Sequence, residues 1–271
     1  MRFINRQPGR GGRLLLALLP LVLVVLVYAI ASATRLADNP EDKLLPSIGQ
    51  MADAVRQMAF TEDQRTGDYL MWSDTAASLR RLALGLGFSA FAGLCLGIAA
   101  GSFPMLGASL SPLLAVVSMI PPLAVLPILF IVFGLDELSK VMLIVIGVTP
   151  LLARDLEQRA REIPQEVMCK AQTLGANSWT IVLRVILPQL LSRLLVSLRL
   201  MLGAAWLFLI SAEAISATAG LGYRIFLVRR YMAMDVILPY VLWITLLAWL
   251  MDYALRRLNR WWFPWSEGAK A

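Results

Sequence analysis

The chain has 271 residues, 59% hydrophobic and only 16% charged, with a mean hydropathy of +0.70 and a formal net charge of +7. A soluble domain carries about a quarter charged residues. Apolar residues here come in runs near helix-spanning length, so composition disfavours a soluble domain and, lacking short alternating segments, a transmembrane β-barrel. The predicted class is an all-α integral membrane protein with about six transmembrane helices. The arginines flank the hydrophobic segments, where such residues set topology, so no nucleic-acid partner is expected. The chain lacks His, the commonest general base and metal ligand. Its two cysteines, Cys95 and Cys169, share no metal or redox spacing. No metal site is expected.

Six hydrophobic segments are predicted, at 14–34, 79–101, 108–134, 138–154, 189–212 and 236–255, the fourth being the shortest. Arg2, Arg6, Arg10 and Arg13 precede the first, and Arg256, Arg257 and Arg260 follow the last. Basic flanks stay in the cytoplasm, and an even number of spans puts both termini there. The loop at about 155–188 then also lies inside, with Arg159, Arg161, Lys170 and Arg184. Arg80-Arg81 and Arg229-Arg230 fall on the wrong side of this topology. The organisation expected is 1–78 (tail, first span and periplasmic segment), 79–260 (core) and 261–271 (cytoplasmic tail).

The first span has two readings. An Arg-rich start, an apolar run and Ala31-Ser32-Ala33 resemble a signal peptide, but the run exceeds the usual signal core, which favours an uncleaved anchor. In the segment 35–78, Ile48, Met51, Val55 and Met58 recur at helical spacing, predicting a short amphipathic helix. The second span repeats small residues at Gly85, Ser89, Gly93, Gly97 and Gly101, one helix face that lets a neighbouring backbone approach. That face serves packing within the bundle or contact with a second copy. In the third span Pro121, Pro122 and Pro127 free backbone carbonyls and predict a bend, either beside a pathway or purely structural.

Pro164 suits the first turn of a helix reaching Leu174, Gly175 suits the left-handed position that ends it, and Asn177 or Ser178 caps a second short helix carrying Trp179, Ile181 and Val182. Pro188 opens the fifth span. Such an element exposes apolar side chains, which makes sense beneath a partner, although an ordinary loop folded on its own protein fits equally. Glu213 lies at the outer end of the fifth span, with Gly220 and Gly222 permitting a tight turn beyond it. An ionisable group there faces a cavity, a partner or water. It either lines a path, acting on a cation, or bonds backbone N–H groups or an Arg of its own chain. Asp252, beside Arg256 at helical spacing, predicts an ion pair at the cytoplasmic end.

The stretch "KAQTLGANSWTIVLRVILP" at 170–188 resembles the cytoplasmic loop of permease subunits of ABC importers, matching at Ala171, Thr173, Leu174, Gly175, Ala176, Ile186, Leu187 and Pro188. It departs at Cys169 and Lys170, where the family carries an acidic residue and an alanine, with Glu166 one helical turn early. "LLPSI" at 44–48, "IPPLAVLPILFIVFG" at 120–134 and "AEAISATAGLGYRIF" at 212–226 resemble the nitrate, sulfonate and taurine branch. The resemblance implies a type I importer built from two copies of this chain, a cytoplasmic ATPase pair and a periplasmic binding protein. The short helix with Trp179 would then be the coupling helix seated in the ATPase. "KAQTLGA", "LGAAWLFLISAEAI", "GLGYRIFLVRRY" and "MDVILPY" most resemble a subgroup encoded beside urea carboxylase. That implies import of guanidinium or a urea-like nitrogen compound, the alternative being taurine, an alkyl sulfonate or nitrate.

ATP handling is expected elsewhere. A phosphate-binding loop needs Gly before its Lys. Lys43, Lys140, Lys170 and Lys270 follow Asp42, Ser139, Cys169 and Ala269. ATP and magnesium thus belong to the partner ATPase, and this chain is expected to bind no cofactor and catalyse nothing. A membrane enzyme would need clustered polar groups inside the spans, and an ion-coupled carrier would show midplane charges and inverted repeats. The sequence displays neither pattern.

Overall fold

A computed structural model describes residues 9–39, 42–63 and 67–266. Arg2, Arg6 and residues 267–271 of the expected tail lie outside them. The described residues are helical with no strand. The chain divides into two compact units. One holds the described residues up to 69 together with 228–241. The other holds 70–227 and the described residues from 242 onward.

In the first unit, α1 (Arg10–Asp38) runs 29 residues, about 44 Å, which exceeds the roughly 30 Å of a hydrocarbon core. Its end is clipped to the following loop. The Tyr28 hydroxyl donates to the Pro46 carbonyl at 2.7 Å and Ser32 Oγ to the Leu45 carbonyl at 3.0 Å. The Leu44 N–H and the Arg35 guanidinium hold the Asp42 carboxyl below the usual carboxylate range. Ser47 and Gln50 then form a reciprocal capping box that starts α2 (Ile48–Phe60). The expected amphipathic helix is present, with a shifted contact line. Ala54 and Ala59 are buried, Met51, Val55 and Met58 are half-buried, and Ile48 is exposed.

In the second unit, α3 (Leu70–Ser102) and α6 (Glu137–Arg161) pack along the small-residue ladder. A Cβ added to Gly85 would stand 2.7 Å from Ile144 Cβ, one at Gly97 2.6 Å from Leu156 Cβ, and one at Gly101 2.5 Å from Ala160 Cβ. Gly93 meets Leu152 and Ser89 is fully buried. Because both helices present residues four apart, the rows interlock at close backbone approach. On α6, Gly147 takes the ring of Phe208 from α9 (Leu187–Ser216), and α3, α6 and α9 pack against one another.

The third hydrophobic segment is not one bent helix. It divides into α4 (Pro104–Val117) and α5 (Pro122–Phe133), which meet at 95°. Pro121 and Pro122 remove two consecutive donors, and each forces extended backbone on the residue before it; Pro121 has ψ 115. Pro127 stays inside α5 without ending it. Among the described residues, four helices are long and apolar enough to cross a membrane, or five if α4 and α5 count as one span. The expected fourth span, within α6, falls short because Lys140, Arg154, Asp155 and Glu157 leave only 141–153 free of charge. After the short α10 (Leu221–Arg229), the last span is α11 (Met234–Trp262).

The α3–α6 ladder predicts that Gly97→Val lowers stability by about 1–3 kcal/mol through overpacking, read as a lower thermal unfolding midpoint in detergent. Gly87→Ala, on the same helix with no atom within 4 Å of its added Cβ, leaves the midpoint unchanged or slightly raised. Equal losses for the two would contradict the ladder.

Candidate functional site

The stretch after α6 folds as two short helices joined by a hydrogen-bonded turn. Its first helix, α7 (Gln165–Thr173), buries no residue. It ends in a Schellman turn, in which Gly175 N–H donates to the Gln172 carbonyl at 2.9 Å and Ala176 N–H to the Ala171 carbonyl at 3.0 Å. Gly175 has φ +81, a conformation that L side chains rarely adopt, and no atom would touch its Cβ. The demand for glycine there is set by backbone alone. Asn177 caps the next turn, its Oδ1 accepting from Thr180 N–H at 2.8 Å.

That turn, α8 (Ser178–Ile181), passes without a break through a π segment (Val182–Ile186) into α9. Pro188 lacks the N–H that would bond the Arg184 carbonyl, and the widened π turn sits where that bond is lost. Ile181, Val182 and Ile186 are buried and fix the element. Leu174 is 88% exposed and Trp179 66%, and Leu183 is exposed as well. Of the expected loop residues, Ala171 and Thr173 thus lie on α7, Leu174, Gly175 and Ala176 in the turn, Trp179 on α8, and Leu187 and Pro188 at the start of α9. Cys169 and Lys170, the departures from the family pattern, are exposed on α7.

A second polar assembly lies at the other end of α9. Glu213 is fully buried. The Ser78 hydroxyl lies 2.8 and 2.9 Å from its two oxygens, Arg81 Nη1 donates at 2.7 Å and Gly222 N–H at 2.9 Å. Arg81 also donates to the Ala219 carbonyl and to Glu137, each at 2.7 Å, and Lys140 Nζ reaches Glu137 at 3.1 Å. Asp74 accepts from Gly220 N–H at 2.8 Å and from Arg224 Nε at 2.7 Å, while Leu221 N–H donates to Ser78 Oγ at 2.9 Å. Three carboxylates (Asp74, Glu137, Glu213) meet three cations (Arg81, Lys140, Arg224). Gly220 fits because any Cβ there would stand 2.6 Å from the Glu213 carboxyl carbon.

Glu213, Gly220 and Gly222 therefore come together, and in this arrangement Glu213 presents no surface to a solute. Pro121 and Pro122 belong instead to the α4–α5 break, where the Pro121 carbonyl accepts from Ala124 N–H. Sequence reasoning passed over Asp74 and Ser78 and read Arg81 only as a flank on the wrong side, although their spacing of four and three marks one face of a helix. A charge within a span demands a partner. Read that way, Arg81 is no breach of the topology rule, because it is buried in ion pairs and does not flank the membrane as a free charge. Asp252 pairs with Arg256 at 2.6 Å, and also with Arg199 of α9 at 2.7 Å, a partner not foreseen.

A family model described as "Binding-protein-dependent transport system inner membrane component" matches residues 93–265. The taurine transport system permease protein TauC of Escherichia coli (strain K12) is 36% identical over 198 residues, covering 73% of this chain and 72% of that protein. The bicarbonate transport system permease protein CmpB of Synechococcus elongatus is 33% identical over 195 residues, 71% of this chain and 69% of its own. Among solved structures, an inward-facing MetNI methionine ABC transporter chain superposes with TM-score 0.64 at 20% identity, covering 74% of this chain and 99% of that one. That last likeness speaks to the fold.

The closed ion network predicts that Glu213→Gln lowers the thermal unfolding midpoint and the yield, because removing one partner of a buried pair costs about 3–5 kcal/mol. A variant that unfolds like the wild type while losing transport would show that Glu213 acts on the solute.

Proposed function

The chain belongs to the family of binding-protein-dependent transport system inner membrane components, and from that membership we propose how its parts divide the work. It is the permease subunit of an ABC importer, a non-catalytic membrane component of a family that works with an ATPase and a binding protein. In our reading the projection at 164–188 is the seat of the ATPase, with α8 as the coupling helix. One observation carries this: Leu174 and Trp179 are apolar and exposed on an element whose backbone is fixed by a Schellman turn, an Asn cap and a buried underside. A solvent-facing loop gains nothing from such side chains, whereas a groove in a partner does.

The rest of the proposal follows the family pattern. Both termini and the loop lie in the cytoplasm, a second copy completes the permease, and the α4–α5 break at Pro121 and Pro122 lines the path between the copies. ATP and magnesium act on the ATPase. The solute is small and polar. The relative named for taurine favours taurine or an alkyl sulfonate. Guanidinium is the second reading, supported by the likeness of 202–215 and 220–231 to the subgroup beside urea carboxylase. The full neutralisation of Glu213 by groups of its own chain weakens the argument that it draws a cation.

Reconstituted with its operon partners, the permease is predicted to lose solute-stimulated ATP hydrolysis in Gly175→Val, at least about tenfold, because a β-branched residue at φ +81 distorts the turn. Coupled hydrolysis surviving in Gly175→Val would reject the loop's role. Uptake of labelled taurine but not guanidinium would support the first solute reading, and the reverse would support the second.

A further inference from the structure

The end of α6 that leads into the projection carries an open polar cavity, in contrast to the closed network at its other end. Arg154, Glu157 and Arg161 share one face of α6, at spacings of three and four, and meet the serines of α4. Arg154 Nη1 donates to Ser118 Oγ at 2.8 Å, and Ser118 donates on to the Ala115 carbonyl at 2.9 Å. Arg161 Nη2 donates to Ser111 Oγ at 3.0 Å and reaches Glu157 at 2.7 Å, while the Ser111 hydroxyl lies 2.6 Å from Glu157 Oε1. Two adjoining cavities open against these groups and share Ser111 and Arg161. The larger, about 550 Å³, is walled by Ala108 and Pro112; the smaller, about 250 Å³, is lined by Arg154 and Glu157. Small-molecule sites have roughly such volumes.

The charges here do not cancel. Glu157 is buried and is met by Arg161. Arg154 is exposed, bonds a hydroxyl and pairs with no carboxylate among the described residues. The adjacent Asp155 is engaged elsewhere, accepting from Ser197 of α9 and lying 3.8 Å from Arg159. Two arginines against one glutamate leave a net positive charge on the cavity wall. The Ser118 hydroxyl occupies one of the five N–H donors of the Arg154 guanidinium. The rest form a planar fork that matches two oxygens of an oxyanion.

We propose that this cavity is an inner binding site for the anionic head of the solute, a sulfonate, an assignment that rests on the first solute reading and on the α4–α5 break lining the path. Ser118, the partner of Arg154, caps α4 and lies three residues before Pro121, so the guanidinium stands at the rim of that break. Arg154 supplies the fork and the surplus charge. Arg161, steadied by Glu157 and Ser111, stands beside it. Apolar walls at Ala108 and Pro112 suit the short carbon chain of such a solute. A guanidinium cation would be repelled by the same charge. The site also lies next to the projection, so solute held there sits at the end of the permease that the ATPase drives, and its release belongs to that step. Phosphate, free or in a lipid headgroup, shares the oxyanion chemistry and is separated by competition.

The test uses the full chain purified with its operon's ATPase, without the binding protein, in an uncharged detergent. Equilibrium binding of radiolabelled taurine is measured beside taurine uptake by the complete importer in vesicles. The expected result is saturable binding that ethanesulfonate displaces and guanidinium does not. Arg154→Gln should weaken it about tenfold or more, and Arg154→Lys by less, because the charge stays while the fork is lost. Arg159→Gln, whose arginine pairs instead with Asp155 and Glu162, should leave it unchanged. Uptake by the wild type without saturable binding would overturn the site and leave the solute reading standing, a comparison that needs no variant to fold. Absence of both would overturn both. Undiminished binding in Arg154→Gln would reject the site, and so would displacement by inorganic phosphate or phosphatidylglycerol more readily than by ethanesulfonate, which would assign the arginines to free phosphate or to lipid respectively.

Discussion

Arg81 is the charge on which one end of the second unit turns. It lies buried within a helix apolar enough to span a membrane, where an unpaired guanidinium would be strongly unfavourable. Its donors reach Glu213 of α9, Glu137 at the start of α6 and the carbonyl of Ala219. A single side chain thus ties three helices and the turn after α9. Ser78 and Asp74 extend the same face of α3 to Leu221, Gly220 and Arg224, so the turn is held by its backbone as well as by charge. The close α3–α6 approach fits this arrangement, because interlocked glycines fix the register that brings Arg81 to Glu137.

Two different kinds of order then stand at the two ends of one rod. Residues 178–216 form a continuous helical run of 39 residues, about 58 Å long. At one end lies the closed network, with every charge matched. At the other lies the projection, with a fixed backbone and uncovered Leu174 and Trp179. In the proposed reading, force from the ATPase enters at the uncovered end and travels along an unbroken helix whose far end is anchored. The π segment at Val182–Ile186 is the one irregular place on that route.

What the sequence made legible was local. The ladder from Gly85 to Gly101 repeats every fourth residue, and Gly175, Asn177 and Pro188 each carry a backbone preference that acts within a turn. Those features could be read one segment at a time. The ion network was legible only in kind: one reading of Glu213 had it bond backbone N–H groups or an Arg of its own chain, as it does, but Arg81 lies 132 positions away and nothing near either residue names the other. The α4–α5 break was half legible: the prolines told of a bend, but not that two adjacent prolines would end one helix and start another at 95°. In α2 the large apolar residues were the visible signal, while the closest contacts fell to Ala54 and Ala59, whose small size carries little periodic weight.

The most direct test of the account is a photo-crosslink. A photoreactive phenylalanine analogue placed at Trp179, in the full chain co-expressed with its operon's ATPase, should on illumination yield a covalent adduct with that ATPase. The same analogue at Leu44, on the loop after α1, should not. An adduct at both positions, or none at Trp179 in a complex that still purifies together, would contradict the assignment of the projection as the seat of the ATPase.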